Sequence, residues 1–362
     1  MSAPSTRQED RRTPKSLGFR MPAEWEPHEA IWLSWPHDPV TFEGVLPQVE
    51  RTFARIAAQI HKTEEVRLLV LNEAMRARAG ALLSSLGADL SRIRFLLADY
   101  ADVWIRDYGP TFLTHPLEKR LAMVHWIFNA WGGKYEELKK DALIPDLILA
   151  ETRATRFKPG IVMEGGSFDV NGKGVVMTTE QCLLHKNRNP SLGRGELEDA
   201  LRGHLGAEEV LWLKEGVAGD DTDGHIDDIA RFVSPDTVLC ALEERTLDPN
   251  HGPLKENFEL LRSAKPGGLR LSVEPLPMPE PVLAQDGSRL PASYANFYIG
   301  NGTVLAPVFE CRQDEKALRT LEQAFPGRSI APIPCRELVR GLGTIHCASQ
   351  QQPSRGGGNG TR

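Results

Sequence analysis

The chain has 362 residues, enough for one large domain or two small ones, and its 41% apolar content supports a sizeable core. A net charge of −6 argues against nucleic acid as the main partner, since phosphate binding takes a basic surface, and suits a cationic ligand better. No apolar run approaches the roughly 18 residues of a membrane span, residues 1–20 lack the apolar centre of a secretion signal, and Cys182, Cys240, Cys311, Cys335 and Cys347 form no CxxC pair. The expectation is a cytoplasmic protein without membrane contact, disulfide framework or structural zinc.

In chain order, residues 1–16 are rich in Ser, Arg and acidic side chains and read as a disordered lead-in. Residues 17–353 read as one domain with no linker-like interruption. Residues 354–362, with their Gly-Gly-Gly-Asn-Gly, read as a flexible tail. Val49, Phe53, Ile56, Ala57 and Ile60 share one helical face. The run 66–71 predicts a strand, 74–86 a helix and 93–97 another strand. Helices are expected again at 254–262 and 315–325, and the Pro-rich run 273–281 reads as a surface loop. Alternating strands and helices predict an α/β fold.

Within that alternation one unit type recurs. Phe168-Asp169-Val170 and Val175-Val176-Met177 flank Asn171-Gly172, and Phe297-Tyr298-Ile299 and Thr303-Val304-Leu305 flank Asn301-Gly302. Asn-Gly supplies the positive φ angles of a tight hairpin. Two further hairpins are predicted at 229–233 with 237–241, and at 111–113 with 121–127. A polar cluster precedes each: Asp102 to Asp107, Glu164 to Ser167, His225 to Asp228, and Ser293 to Asn296. Similar units recurring every 60 residues or so, each delivering a polar head, suggest a radial, propeller-like arrangement around one site.

The first cluster sets Asp102, Arg106 and Asp107 among Tyr100, Trp104 and Tyr108. It reads either as a carboxylate pocket for a planar cation with Trp104 as a wall, or as an Arg–Asp pair at a strand entry. Glu164-Gly165-Gly166 would let backbone pack close beside a site, or is a plain turn. His225-Ile226-Asp227, taken as a strand, puts His and Asp on one face, where the carboxylate would orient and charge the imidazole. The surrounding acids could instead bind a cation or form a solvated turn, although their spacing is not that of an EF-hand. Finally, Cys347 follows a Gly-rich entry and precedes a polar exit, which is unusual for a structural cysteine. His346 cannot share a strand face with it, so a base must come from elsewhere, and His225 is the obvious candidate.

Together these clusters resemble the agmatine deiminase and Porphyromonas-type peptidylarginine deiminase family. So do the opening Met21-Pro-Ala-Glu24-Trp25-Glu26-Pro-His28-Glu29, the block Asn129-Ala-Trp131-Gly132-Gly133-Lys134-Tyr135, and Cys182-Leu-Leu-His185-Lys-Asn-Arg188-Asn189-Pro190. The likeness runs from about residue 17 to 353. It implies a pentein, a five-fold pseudo-symmetric α/β propeller of ββαβ units. By motif position it implies Cys347 as nucleophile, His225 as acid/base, Asp107 and Asp227 against the guanidinium, and Glu164 in support. Asp102, Trp104 and Asn296 complete the expected substrate-binding set with Asp107. No metal and no organic cofactor are implied.

The resemblance further implies hydrolysis of a small cationic guanidine through a covalent Cys thiouronium. The expected substrate is agmatine, giving N-carbamoylputrescine and ammonia for polyamine synthesis; a homo-oligomer is compatible. Peptidyl arginine is the alternative substrate, an amide hydrolase or amidinotransferase a different chemistry, and a non-catalytic guanidine binder a further one. The sequence departs from the family pattern at Leu342 and Thr344, where Gly and Asn are usual, and at Asp169, where His is usual.

Overall fold

The computed structural model describes residues 12–355, so most of the expected lead-in and tail lies outside the described residues. Lys15–Leu17 already form a 3-10 turn, and Lys15 donates to the Ala207 carbonyl at 2.7 Å.

The described residues build five small sheets, each containing an antiparallel pair extended by a parallel strand, with one further parallel strand in the first. β1 (His28–Ser34), β2 (Glu65–Val70) and β3 (Ile93–Leu97) run parallel. β4 (Thr111–His115) and β5 (Arg120–Val124) form an antiparallel hairpin, and β6 (Thr155–Phe157) adds parallel to β5. The pattern repeats in β7 (Phe168–Val170), β8 (Val175–Thr179) and β9 (Glu209–Leu213). It repeats again in β10 (Ala230–Phe232), β11 (Thr237–Leu242) and β12 (Ser272–Pro277). β13 (Tyr298–Ile299), β14 (Thr303–Val308) and β15 (Ser329–Pro334) make the last three-stranded sheet. β16 (Ser349–Pro353) then returns to pair antiparallel with β1, so the first sheet is closed by both ends of the described chain.

Each parallel step needs a crossover, and helices supply it. The helix Leu46–Ile60 links β1 to β2 and buries Val49, Phe53, Ile56, Ala57 and Ile60, the face read from the sequence. Glu73–Ser85 starts at Asn72, whose side chain accepts the Met75 amide, satisfying one of the unpaired N–H groups of a helix start. His251–Ser263 and Gln313–Ala324 serve the fourth and fifth sheets. The largest apolar core gathers Trp32, Trp35, Phe53, Leu68, Tyr298 and Leu305, among others. No helix among the described residues is long and apolar enough to cross a membrane.

Two expectations are corrected. The run 273–281 is not all loop: Ser272–Pro277 is an edge strand, where Pro275 and Pro277 are tolerated because one side of the strand asks for no N–H donor. His225, Ile226 and Asp227 are not on a strand: Ile226–Asp228 is a 3-10 turn entered from His225, so the two side chains are aimed by a turn and not by strand alternation.

Candidate active site

The segment ahead of each hairpin brings one polar group to a common centre. Asp107 lies in the short helix Ile105–Tyr108 before β4, Glu164 before the 3-10 turn Gly165–Ser167 and β7, and Asp227 in the turn before β10. Asn296 precedes β13 and Cys347 precedes β16. All five are buried. The paired glycines permit the close approach. A Cβ on Gly165 would lie 2.2 Å from the Arg106 carbonyl oxygen. One on Gly166 would lie 2.6 Å from His225 Nδ1, 2.9 Å from Asp107 Oδ1 and 3.1 Å from Asp227 Oδ2. Those three atoms therefore converge on bare backbone.

Asn296 holds the cysteine turn. Its Oδ1 accepts the amides of His346 (3.0 Å) and Cys347 (3.2 Å) and the Thr344 hydroxyl (2.8 Å), while its Nδ2 donates to Cys347 Sγ at 3.0 Å. Thr344 thus reaches the same anchor by its hydroxyl. The Cys347 thiol also donates to Asp227 Oδ2 at 3.6 Å. Burial, together with the charges of Asp227, Asp228 and Asp107, holds the thiol well above its ordinary pKa.

The two carboxylates expected to grip a guanidinium sit in different surroundings. Asp107 accepts Gly166 N–H and Trp131 Nε1–H, both at 2.9 Å. Burial pushes its pKa up to about 6, with the nearby His225 charge working the other way and Asp227 and Glu164 adding to the rise. Asp227 Oδ2 faces His346 Nδ1 at 2.7 Å, and its Oδ1 is buried without a hydrogen-bond partner. Burial works to raise its pKa, but the His346 contact together with the charges of His225 and Arg231 holds the group below the usual carboxylate value. Burial and the Asp227 charge push the adjacent Asp228 far up.

His225 is flanked by acids and hydrogen-bonded to none of them. Nδ1 lies 3.7 Å from Asp107 Oδ1 and Nε2 lies 3.9 Å from Glu164 Oε2. Burial favours the neutral ring, but Asp107, Cys182 and Glu164 together raise its pKa well above the ordinary value. Glu164 Oε1 accepts Arg188 Nε at 2.8 Å; burial opposes that charge, and Arg188 and His225 still hold Glu164 below its usual pKa. Among the described residues no hydrogen bond joins His225 to Cys347. Two donor groupings, Glu164 with Cys182 and His225, and Asp227 with Asp228 and Cys347, lie close enough to hold a metal ion.

Above this centre opens a small pocket of about 240 Å³, walled by Asp102, Trp104, Asp107, Trp131, Leu342 and Cys347. Asp102 Oδ2 accepts Trp104 Nε1–H at 3.2 Å and so fixes that wall. Trp131 arrives on a left-handed stretch in which Ala130 (φ 56°), Trp131 (φ 52°), Gly132 (φ 88°) and Gly133 (φ 79°) follow in succession. Leu342 (φ 70°) is left-handed as well. Non-glycine residues there cost roughly 1–2 kcal/mol each, and such strain gathers where packing around a site over-determines it.

The model of the Porphyromonas-type peptidyl-arginine deiminase family matches residues 20–353. The chain belongs to this family. Among relatives of this peptidyl-arginine deiminase family member, a putative agmatine deiminase of Legionella pneumophila (strain Paris) is 42% identical over 343 residues, covering 94% of this chain and 97% of its own. The agmatine deiminase of Stutzerimonas stutzeri is 38% identical over 365 residues, with 94% and 97% covered. The solved agmatine deiminase of Enterococcus faecalis superposes with a TM-score of 0.88 at 31% identity, covering 97% of this chain and 100% of that one.

Cys347, His225, Asp227, Glu164, Asp107 and Asn296 are thus brought together around one centre, and Asp102 and Trp104 form a pocket wall. Asn296, expected against substrate, lies under the nucleophile turn, and Asp102 acts on Trp104. Sequence reasoning gave no role to Trp131, Glu24, His346 or Arg188. Trp131 and Arg188 lie in blocks that carried the family likeness, and a Trp before paired glycines was a signal of special backbone.

Proposed function

We propose that this protein is an agmatine deiminase, hydrolysing agmatine to N-carbamoylputrescine and ammonia in polyamine synthesis. The observation that carries the reading is the convergence of an unpaired buried carboxylate oxygen (Asp227 Oδ1), a second carboxylate (Asp107) and a buried thiol beneath a small pocket with two tryptophan walls. The relatives named as agmatine deiminases support the choice of substrate. Five like-paired sheets, each led by a site residue, support a single deiminase domain over 17–353 arranged as a five-fold propeller.

The geometry supports a covalent mechanism. In the free protein burial and the surrounding carboxylates keep Cys347 a thiol. A guanidinium entering between Asp107 and Asp227 offsets those charges, so the thiol gives up its proton to solvent as substrate binds. Carboxylate hydrogen bonds fix the plane of the cation and aim its carbon at the sulfur. Sγ adds to that carbon, and His225, held protonated, donates to the departing nitrogen. Ammonia leaves and an S-alkylthiouronium remains on Cys347. Neutral His225 then takes one proton from water as its oxygen adds to the same carbon; the C–S bond breaks, the remaining hydroxyl proton passes to the sulfur, and the ureido product leaves with the thiol restored.

Ammonia release from agmatine, free arginine and an arginine peptide tests the reading. Turnover of agmatine alone is expected, with Cys347→Ala folded and at least 10⁴-fold slower. Turnover of the peptide in preference would make this a citrullinating enzyme. Turnover of none of the three, with the thiol reduced, would leave a guanidine-binding protein.

A further inference from the structure

His346 precedes the nucleophile, has no part in the mechanism above, and is buried among the charges of Glu24, Arg106, Asp227 and Arg231. Its ring touches two carboxylates at once. Nδ1 lies 2.7 Å from Asp227 Oδ2, and Nε2 lies 2.8 Å from Glu24 Oε2. A carboxylate accepts, so each contact asks the ring for an N–H, and a neutral imidazole has only one. Glu24 is itself committed as an anion. Its Oε2 accepts Arg231 Nη2 at 2.7 Å and its Oε1 accepts the Ile299 amide at 2.7 Å. Asp227 keeps its other oxygen unpaired and buried.

We infer that His346 and Glu24 are positioning residues that hold Asp227 for substrate. His346 bridges the two carboxylates through its two ring nitrogens, fixing Asp227 by Oδ2 and leaving Oδ1 free for a guanidinium. The bridge also ties Asp227 to the nucleophile. The backbone amides of His346 and Cys347 share Asn296 Oδ1, and Cys347 Sγ lies 3.6 Å from the same Asp227 oxygen that His346 holds. Carboxylate and sulfur are therefore located by one turn of chain. Arg231 and Arg106, whose Nη2 is 3.9 Å from Glu24 Oε2, keep Glu24 charged. Asp169 bonds Arg231 from the other side at 3.4 Å. Glu24 therefore serves at two bonds' remove from substrate, and the ring serves at one.

The inference rests on the guanidine-hydrolase reading for its kinetic arm only. His346→Leu removes both donors at similar volume. His346→Asn keeps an amide N–H near the Nδ1 position and loses the Glu24 contact. His346→Leu is expected to lower kcat/KM for agmatine at least 100-fold, and His346→Asn to recover at least tenfold of that. Agmatine affinity, measured in a Cys347→Ala background, should follow the same order. Equal loss in both variants, or no loss in either, overturns the positioning role. The second arm needs no turnover and no variant that folds poorly. In ¹⁵N-histidine-labelled wild-type protein, the His346 ring, assigned by its disappearance in His346→Asn, should show both nitrogens hydrogen-bonded, with Glu24→Gln shifting the Nε2 signal. A ring with one nitrogen free of hydrogen bonding overturns the bridge. If wild-type protein turns over no guanidine while both nitrogens are hydrogen-bonded, the functional reading fails and the bridge stands.

Discussion

Two walls of the centre each offer a buried carboxylate, and they are built on opposite principles. Asp107 is held by neutral donors, the Gly166 amide and the Trp131 indole, and burial leaves it easy to protonate. Asp227 is held by an imidazole backed by Glu24 and Arg231, and it resists protonation in spite of being fully buried. Burying a carboxylate without a counter-charge is costly, so each wall answers the same cost in its own way. One holds its charge loosely, so that the carboxylate already protonates near pH 6. The other keeps it with a permanent partner, leaving one oxygen for the ligand.

The contrast is tested most sharply by removing each charge in turn. Asp227→Asn leaves His346 and the Glu24 network without a partner, a kind of loss that costs about 3–5 kcal/mol when buried. It should lower kcat/KM for agmatine at least 10³-fold and depress the melting temperature of the free protein. Asp107→Asn replaces an acceptor of neutral donors. It should cost about 2–3 kcal/mol of activity, near 10²-fold, and leave the melting temperature of the free protein unchanged or higher. Equal losses of stability in the two variants would abolish the distinction between the walls.

A smaller effect is expected from pH. The folded pKa of Asp107 is raised, so its contribution to folding is present below the ordinary carboxylate range and is lost as pH rises through about 6. Asp227 is depressed, so its contribution is present above that range and is lost only as pH falls through its lowered value. Of these two, Asp107 alone titrates between about 5 and 7. Agmatine needs it ionised, so kcat/KM should fall roughly fivefold between pH 6 and 5. The upward shift of melting temperature by agmatine should accordingly be larger at pH 7.5 than at 5.5. Asp102, also pushed to about 6 by burial, holds Trp104, and Asp102→Asn separates its share. An acid limb near 4 in that variant would place Asp107 in the same class as Asp227.

What the sequence disclosed follows the range of the forces involved. The hairpins around Asn171-Gly172 and Asn301-Gly302 were legible from the short apolar runs that flank them, although of these four residues Gly172 alone takes the positive φ expected of an Asn-Gly turn. The buried face of Leu46–Ile60 was legible because helix period is local. Cys347 and His225 stood out by residue type, and the family likeness supplied their partners. The edge strand Ser272–Pro277 was hidden because its prolines signal a loop unless the strand's position at a sheet edge is known. The 3-10 turn at Ile226–Asp228 was hidden because His-x-Asp is silent on backbone. The Glu24–His346–Asp227 bridge joins residues from three distant stretches of chain, and no periodicity records such a contact.

The smallest expected effect concerns how the nucleophile turn keeps its shape. Leu342 is left-handed at φ 70°, where glycine is usual in the family and where a side chain is strained. Leu342→Gly should relieve about 1–2 kcal/mol of that strain and give back about 0.5–1 kcal/mol through the greater freedom of the unfolded chain. The net change in stability is therefore within about 1 kcal/mol, and it favours the variant. Its KM should rise a few-fold, because Leu342 lines the pocket. Gly343 next to it is the control. A Cβ there would sit 2.6 Å from Trp104 Cζ3 and 3.0 Å from Cys347 Cβ, so Gly343→Ala must displace the wall or the nucleophile and should lose far more activity. If Leu342→Gly also collapsed activity, the leucine side chain itself would be fixing the turn. If Gly343→Ala were tolerated, Trp104 would be free to move, and the pocket would be less rigid than its Asp102 tether implies.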